Sequence, residues 1–304
     1  MAALTAKTPR HQDTKEHEDF GFLGCKLSRF TVYSRAMKIA DDLGRDITLP
    51  GPAQRIVCLV PSITETLFAL EAGDRVAGIT DYCVHPARRV RNIPKVGGTK
   101  TPRLVEIIAL QPDLVIANAE ENRQHHIRKL EVAGLTVFVN FTKTVEGCLK
   151  MMHDLGALTG KEKEAATLAS AIQEAMQEAA ARRVNPPPRI LVPIWKNPYM
   201  SINSDTFVGS ILEVAGGQNV FANDQERYPQ FVLQDLLEKK PEIVLLPTEP
   251  YRFMEADIVD FEALGPEVPA VRNRRIHIIE GELLSWYGSR VPRALREIST
   301  LVAS

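Results

Sequence analysis

The sequence predicts an α/β protein of two lobes, each built on a parallel sheet, joined by one long connecting helical segment. Three observations predict it. Short apolar runs alternate with helical periods up to about residue 143, the pattern of a parallel sheet covered on both faces. The alternation stops over residues 144–186 and resumes afterwards. A segment also recurs: "IIALQPDLVIANAEEN" from Ile107 overlays "LLEKKPEIVLLPTEPY" from Leu236 on a shift of 129 positions (104 to 233), so that Pro112 meets Pro241, Asp113 meets Glu242 and Glu120 meets Glu249. The expected organisation is an N-terminal tail (1–40), an N-terminal α/β lobe (41–143), the connecting segment (144–186) and a C-terminal α/β lobe (187–304).

The elements follow in order. "RIVCLV" (55–60) is a fully apolar strand, and "SITETLFALEAG" is a helix that Gly73 ends. "RVAGIT" (75–80) and the short "NIPKVG" (92–97) read as strands, and "PRLVEIIALQ" as a helix with Pro in its first turn. "DLVIAN" (113–118) is a strand, "ENRQHHIRKLEVAG" a helix and "TVFVNF" (136–141) a strand. From Val145 to Arg183 only helical periods occur, with apolar lines at 145, 149, 152, 155 and 158, then at 165, 168, 172, 176 and 179. "NPPP" (185–188) ends that stretch. "RILVPIW" (189–195) then answers "RIVCLVP", "FVGSILEVAGG" answers "TETLFALEAG", and "RIHIIEG" (275–281) is the final strand.

Composition excludes several classes of function. Lys and Arg (37) nearly cancel Asp and Glu (38), so no basic field exists to hold nucleic acid or an anionic membrane. No run of 18 apolar residues is present, so no membrane span is expected. "MAALTAKTPRHQDTKEHEDFGFLGC" lacks the apolar centre of a signal peptide, and a start at Met37 supplies none, so the sequence by itself predicts a cytoplasmic protein. Cys25, Cys58, Cys83 and Cys148 show no CxxC or disulfide spacing, in keeping with a reducing compartment. GxSxG, HExxH, GxGxxG and the complete P-loop are all missing, so enzymatic activity is not expected.

In open parallel sheets ligands bind beyond the carboxyl ends of the strands. The segments there are "PS" after 55–60, "DYCVHP" after 75–80, "GGTK" after 92–97, "AEEN" after 113–118, "KNPYMSINSDT" after 189–195, "TEPYRF" after "EIVLLP" (242–247) and "ELLSWYGSR" after 275–281. Both Trp residues, Trp195 and Trp286, fall in this set, with Tyr82, Tyr199, Tyr251 and Tyr287, although aromatics are only 6% of the chain. Two sets of strand ends facing each other make a cleft walled by aromatic faces, suited to a bulky, partly planar ligand. Trp195, Tyr199, Trp286 and Tyr82 are expected to stack on it, with Tyr287 as a further ligand-binding residue, Lys100 and Arg290 to meet an anionic edge, and His85 and Glu120 to supply polar or metal contact. Glu120 and Glu249, the duplicated acids, either face the cleft or cap helices. Cys83 and His85 are weak candidates for a metal, with His125 and His126 nearby.

These motifs carry a resemblance. "GRDITLPGPAQRIVCLVPSITETLFAL", "VGGTK…LVEIIALQPDLVIA", the long helix and "SDTFVGSILEVAGGQNVF" resemble the helical-backbone (class III) substrate-binding proteins of ABC importers, over about residues 41 to 300. The resemblance implies two Rossmann-like lobes joined by one long helix, and a metal chelate (corrinoid, haem or ferric siderophore) as transported ligand rather than built-in cofactor. It implies a periplasmic setting, small lobe movement on binding and, as partner, an ABC permease gripped by a glutamate on each lobe. A monomer is the expected state. Tyr82 and Trp195 match aromatics of the cobalamin receptors, Trp286 and Tyr287 match an aromatic pair, and Thr99 and Asn118 stand where those receptors carry Trp. Glu213 matches the docking glutamate of the second lobe. In the first lobe the equivalent position is Val105, with Glu106 one place later. Two other readings stand beside this one: direct binding of a divalent metal through Cys83, His85 and a carboxylate, and a cytosolic enzyme or carrier of tetrapyrrole metabolism.

Overall fold

The structure is a computed structural model that describes residues 36–304. Cys25 and the N-terminal segment tested for export lie outside the described residues. The first element is a hairpin: β1 (Met37–Ala40) pairs antiparallel with β2 (Asp46–Leu49). The expected tail reached residue 40, yet Met37–Ala40 is a strand. Its period-2 alternation places Met37 and Ile39 against the core while Lys38 reaches Asp46 at 2.8 Å.

The N-terminal lobe holds four parallel strands: β3 (Ile56–Cys58), β4 (Val76–Ile79), β5 (Leu114–Asn118) and β6 (Val137–Asn140), in spatial order β4-β3-β5-β6. Around them lie α1 (Pro61–Ala69), α2 (Ala87–Val90), α3 (Leu104–Ala109) and α4 (Gln124–Val132). The short strand expected at 92–97 is reduced to an isolated bridge between Ile79 and Lys95. Pro94, in the middle of that run, has no N–H to give a ladder; its carbonyl accepts from Ile79 N at 3.0 Å.

The connecting segment is a helical hairpin of α5 (Gly147–Thr159) and α6 (Glu162–Ala181). Gly160, in the left-handed conformation at φ 60°, ends α5 and lets the chain turn. With 20 residues, α6 is about 30 Å long. It buries Ala165, Ile172, Ala175 and Ala179, the spacing of one helical face.

The C-terminal lobe repeats the first. Its strands are β7 (Arg189–Leu191), β8 (Tyr199–Met200), β9 (Gln218–Asn219), β10 (Gln230–Phe231), β11 (Ile243–Pro247) and β12 (Ile276–Ile279). The parallel sheet runs β9-β7-β11-β12, and β8 pairs with β10 apart from it. Its helices are α7 (Phe207–Val214), α8 (Leu236–Lys239), α9 (Glu255–Glu262), α10 (Pro269–Arg272), α11 (Gly281–Ser285) and α12 (Val291–Ala303), the last packed along α6. Both parallel sheets thus place their first strand in chain order second in space, between their second and their third. That is the topology the 129-residue repeat predicts: β5 and β11 coincide end to end under the shift.

One apolar cluster runs through the molecule. It joins Ile56, Ile63 and Leu67 of the first lobe, Met151, Leu155 and Ile172 of the connector, and Ile190, Ile211 and Leu295 of the second lobe. Two smaller clusters fill the outer faces of the sheets, around Val57 and Val115 in one lobe and Leu191 and Phe253 in the other.

Candidate functional site

The carboxyl ends of both sheets open on one cavity of about 690 Å³, within the usual range of small-molecule sites. The first lobe contributes Ser62 at the start of α1, Asp81 and Tyr82 after β4, Thr99, and Asn118, Glu120 and Glu121 at and after β5. The second contributes Ile194 after β7, Phe207 at the start of α7, Tyr228, Glu249 after β11, Ser285 at the end of α11, and Trp286 and Tyr287 after it.

Local hydrogen bonds set the acids. Asn118 Oδ1 accepts from the backbone N–H groups of Glu120 and Glu121 at 2.8 and 3.0 Å, and Asn122 Oδ1 accepts from Asn118 N at 2.8 Å. This tight turn sends two neighbouring carboxylates in different directions. Glu120 points to the rim, where Oε1 accepts from Arg227 at 2.8 Å and from the Tyr228 hydroxyl. Glu121 points inward, where Oε1 accepts from the Tyr287 hydroxyl of the opposite lobe at 2.8 Å. Glu249 accepts from Ser285 Oγ at 2.9 Å. Its backbone lies against Gly281, where a Cβ would collide with it, so the glycine at the start of α11 is what lets the two loops meet.

Aromatic packing braces the wall. The rings of Tyr287 and Phe207 meet edge to face at 5.6 Å, those of His85 and Trp286 at 5.7 Å, and the Arg290 guanidinium lies 5.0 Å from the Trp286 ring centre. Such contacts fix ring orientation before any ligand arrives.

A cavity at the strand ends of two duplicated α/β lobes around a helical hairpin is a binding-protein arrangement, and comparison of the chain with family models agrees. The model described as periplasmic binding protein matches residues 56–283. The chain belongs to that family. Among the relatives of this chain is the vitamin B12-binding protein of Vibrio campbellii, 25% identical over 254 residues that cover 82% of this chain and 89% of that one. The crystal structure of the periplasmic vitamin B12 binding protein of Vibrio cholerae superposes with a TM-score of 0.73 at 23% identity, over 83% of this chain and 97% of the other. The apo periplasmic heme-binding protein of Roseiflexus sp. RS-1 does so at 0.72 and 21%, over 83% and 98%. Both superpositions establish the fold.

In this family member the expected site residues divide into two groups. Tyr82, Glu120, Glu249, Trp286 and Tyr287 line the cavity, as do Thr99 and Asn118. The others lie off its walls. Trp195 packs edge-on against Tyr251 at 5.9 Å. Tyr199 is turned away: the bridge between Trp195 and Met200 folds its segment back, and its hydroxyl donates to Asp260 at 2.8 Å while its ring meets Phe231 and Phe261. Lys100 donates to the carbonyl of Glu120 rather than reaching the interior. Arg290 is held between Glu65, at 2.6 Å, and Glu280. His85 Nε2 lies 3.8 Å from Glu282.

Of the two readings of Glu120, facing the cleft or capping a helix, the cap is not formed. Arg123 occupies the N-cap of α4 without a side-chain cap bond, and Glu120 is occupied by Arg227 and Tyr228. The metal reading of Cys83 and His85 is corrected. Cys83 Sγ is buried against Thr64 and Thr80 at 3.2 and 3.1 Å, and no group of three or more His, Cys, Asp or Glu is arranged to hold a metal among the described residues. No helix among them is long and apolar enough to cross a membrane.

Glu121 is the residue that sequence reasoning missed. Burial pushes its carboxyl up to about 7, opposed by the Tyr287 hydrogen bond and by Lys100, and assisted by the charges of Glu120 and Glu249. Burial likewise raises Glu249. Between its ordinary 4.5 and about 7 the folded chain keeps a proton on Glu121 that the unfolded chain releases. Stability therefore falls as pH rises through that window and levels off above it. The expected loss is about 2 kcal/mol, allowing for the water that the cavity admits to a half-buried carboxyl. Urea denaturation of wild type and Glu121→Gln across that range checks this: the variant should lose most of the slope and be the more stable protein above the window.

Proposed function

We propose that this protein is a substrate-binding component of an ABC-type uptake system, a binding protein rather than an enzyme, and that it holds a metal chelate (a corrinoid, a haem or a ferric siderophore) between its lobes. The observation that carries this reading is the cavity itself: both lobes converge on it, and Tyr82, Phe207, Tyr228, Trp286 and Tyr287 surround it. Flat aromatic faces suit a planar macrocycle. The relatives named for vitamin B12 and for heme support the ligand class. Tyr82, Trp286 and Tyr287 are the proposed stacking residues, and Glu121 and Glu249 the proposed polar contacts.

For a permease, Glu213 on α7 and Glu106 on α3 are the proposed contacts. Both are exposed, and Glu106 is paired with Arg103 at 2.6 Å. Val105 beside it is 81% exposed and supplies an apolar neighbour at the same surface. Fractionation of cells expressing the natural chain distinguishes the cytoplasmic address read from its N-terminal sequence from the periplasmic one carried by its family.

The test is quenching of tryptophan fluorescence by cobalamin, cobinamide, haem and ferric siderophores, corrected for ligand absorbance. At least one should bind more tightly than about 10 μM, or roughly −7 kcal/mol. Trp286→Phe should remove most of the quench. Absence of binding by every one of these chelates would overturn the reading.

A further inference from the structure

We propose that the cavity selects chelates whose rim is neutral or cationic and carries N–H donors, and discriminates against chelates edged with free carboxylates; this rests on the binding-protein reading above.

The charged side chains on its walls are Asp81, Glu120, Glu121 and Glu249, and no Lys, Arg or His is among the lining residues. The nearby cations are already committed. Arg227 serves Glu120 at 2.8 Å and Asp205 at 3.2 Å. Lys100 lies off the walls and donates to the Glu120 carbonyl, and its charge acts on Glu121 without forming an ion pair. Arg290 serves Glu65 and Glu280, and His85 lies beside Glu282. Of the four lining acids only Glu120 has an ion-pair partner among the described residues.

The helix starts do not reverse this balance. α1 and α7 both begin at the cavity wall, and a helix start carries about half a positive charge. Two such ends together with Lys100 amount to about two charges, against three unpaired carboxyls. The helix ends are also partly used: α1 opens with Pro61, which has no N–H, and Thr206 Oγ1 accepts from Gly209 N at 3.1 Å.

Glu121 and Glu249 enter from opposite lobes, and the charge of Glu249 opposes ionisation of Glu121 across the gap. A ligand carboxylate brought between them would be a further like charge in a poorly solvated space. An amide N–H or an ammonium would instead meet acceptors. The second oxygen of Glu121 has no hydrogen bond among the described residues, since only Oε1 is taken by Tyr287. Ser62 Oγ, buried on the same wall beside the Tyr287 hydroxyl, makes no well-directed hydrogen bond and can accept as well as donate.

Two matched ligand pairs test the proposal, each changing rim charge at constant ring and metal. Dicyanocobinamide carries amides where dicyanocobyrinic acid carries carboxylates, and haem dimethyl ester lacks the charges of haem. Binding to the wild-type chain is measured at about pH 8, above the raised value of Glu121. In whichever pair binds, the uncharged-rim member should be tighter by at least about tenfold. Glu121→Gln combined with Glu249→Gln should shift that ratio by at least about threefold toward the carboxylate member. Equal affinity within the pair, or preference for carboxylates, overturns the proposal while leaving the binding-protein reading intact. Failure of all four ligands overturns the proposal, and the binding-protein reading falls with it if cobalamin and the ferric siderophores fail to bind as well. If the double variant does not fold, the wild-type ratios still decide.

Discussion

Arg290→Ala is expected to destabilise the protein by about 3 kcal/mol, because it leaves Glu65 without a counter-charge and Glu280 with Arg293 alone, at 2.9 Å. Arg290 sits at the start of α12 in the second lobe, with its side chain only 11% exposed. Its Nε meets Glu65 of α1 in the first lobe at 2.6 Å, and its Nη1 meets Glu280. The same guanidinium covers the face of Trp286 at 5.0 Å. Truncation therefore breaks a link between the lobes and uncovers a cavity-wall ring. The midpoint of urea denaturation should fall with little change in slope. Adding Glu65→Gln to the alanine variant should recover part of the loss, since one orphaned charge disappears. A loss below about 1 kcal/mol would mean that the linkage is solvated like an ordinary surface pair.

Gly288→Ala is expected to cost a similar amount, about 3 kcal/mol, through backbone strain and collision together. Gly288 has φ 103°, where side chains are disfavoured. A Cβ there would also collide with Thr66 Oγ1 of α1 and touch the Met151 methyl of α5. Thr66 cannot swing away freely: its hydroxyl donates to the Ser62 carbonyl at 2.8 Å and accepts from Ser289 N at 3.1 Å. The substitution must push the two lobes apart beside Tyr287, so chelate affinity should fall with stability. A thermal scan and the fluorescence titration on one preparation read both effects. Unchanged melting would show that the seam between the lobes yields.

The fold was legible because hydrophobic period and repetition survive in sequence. "DLVIAN" and "EIVLLP" became β5 and β11 at corresponding places in two sheets of the same order. The hairpin of β1 and β2 was overlooked although "MKIA" and "DITL" alternate, because each strand has only four residues amid polar neighbours. The site was legible by segment but not by side chain. The strand-end rule located the loops, yet it is silent on which way a residue turns within one. The repeat drew attention to Glu120, the partner of Glu249 by position. The Asn118 turn, which has no counterpart at Pro247, makes its neighbour Glu121 the inward acid. Tyr199 likewise has the right residue type on the right segment, but the fold-back at Trp195 and Met200 presents it to the far side of the lobe.

The uninterrupted apolar cluster from Ile56 through Ile172 to Leu295 has a mechanical consequence. Swinging the lobes open far enough to wet some 200 Å² of it would cost about 5 kcal/mol at 25 cal/mol per Å². The gap is thereby held near one width whether or not it is filled. A guest spends little of its binding energy on closing the jaws. Its arrival and escape then depend on exposed rim side chains, Tyr82 and Tyr228 foremost, acting as a turnstile in a rigid frame.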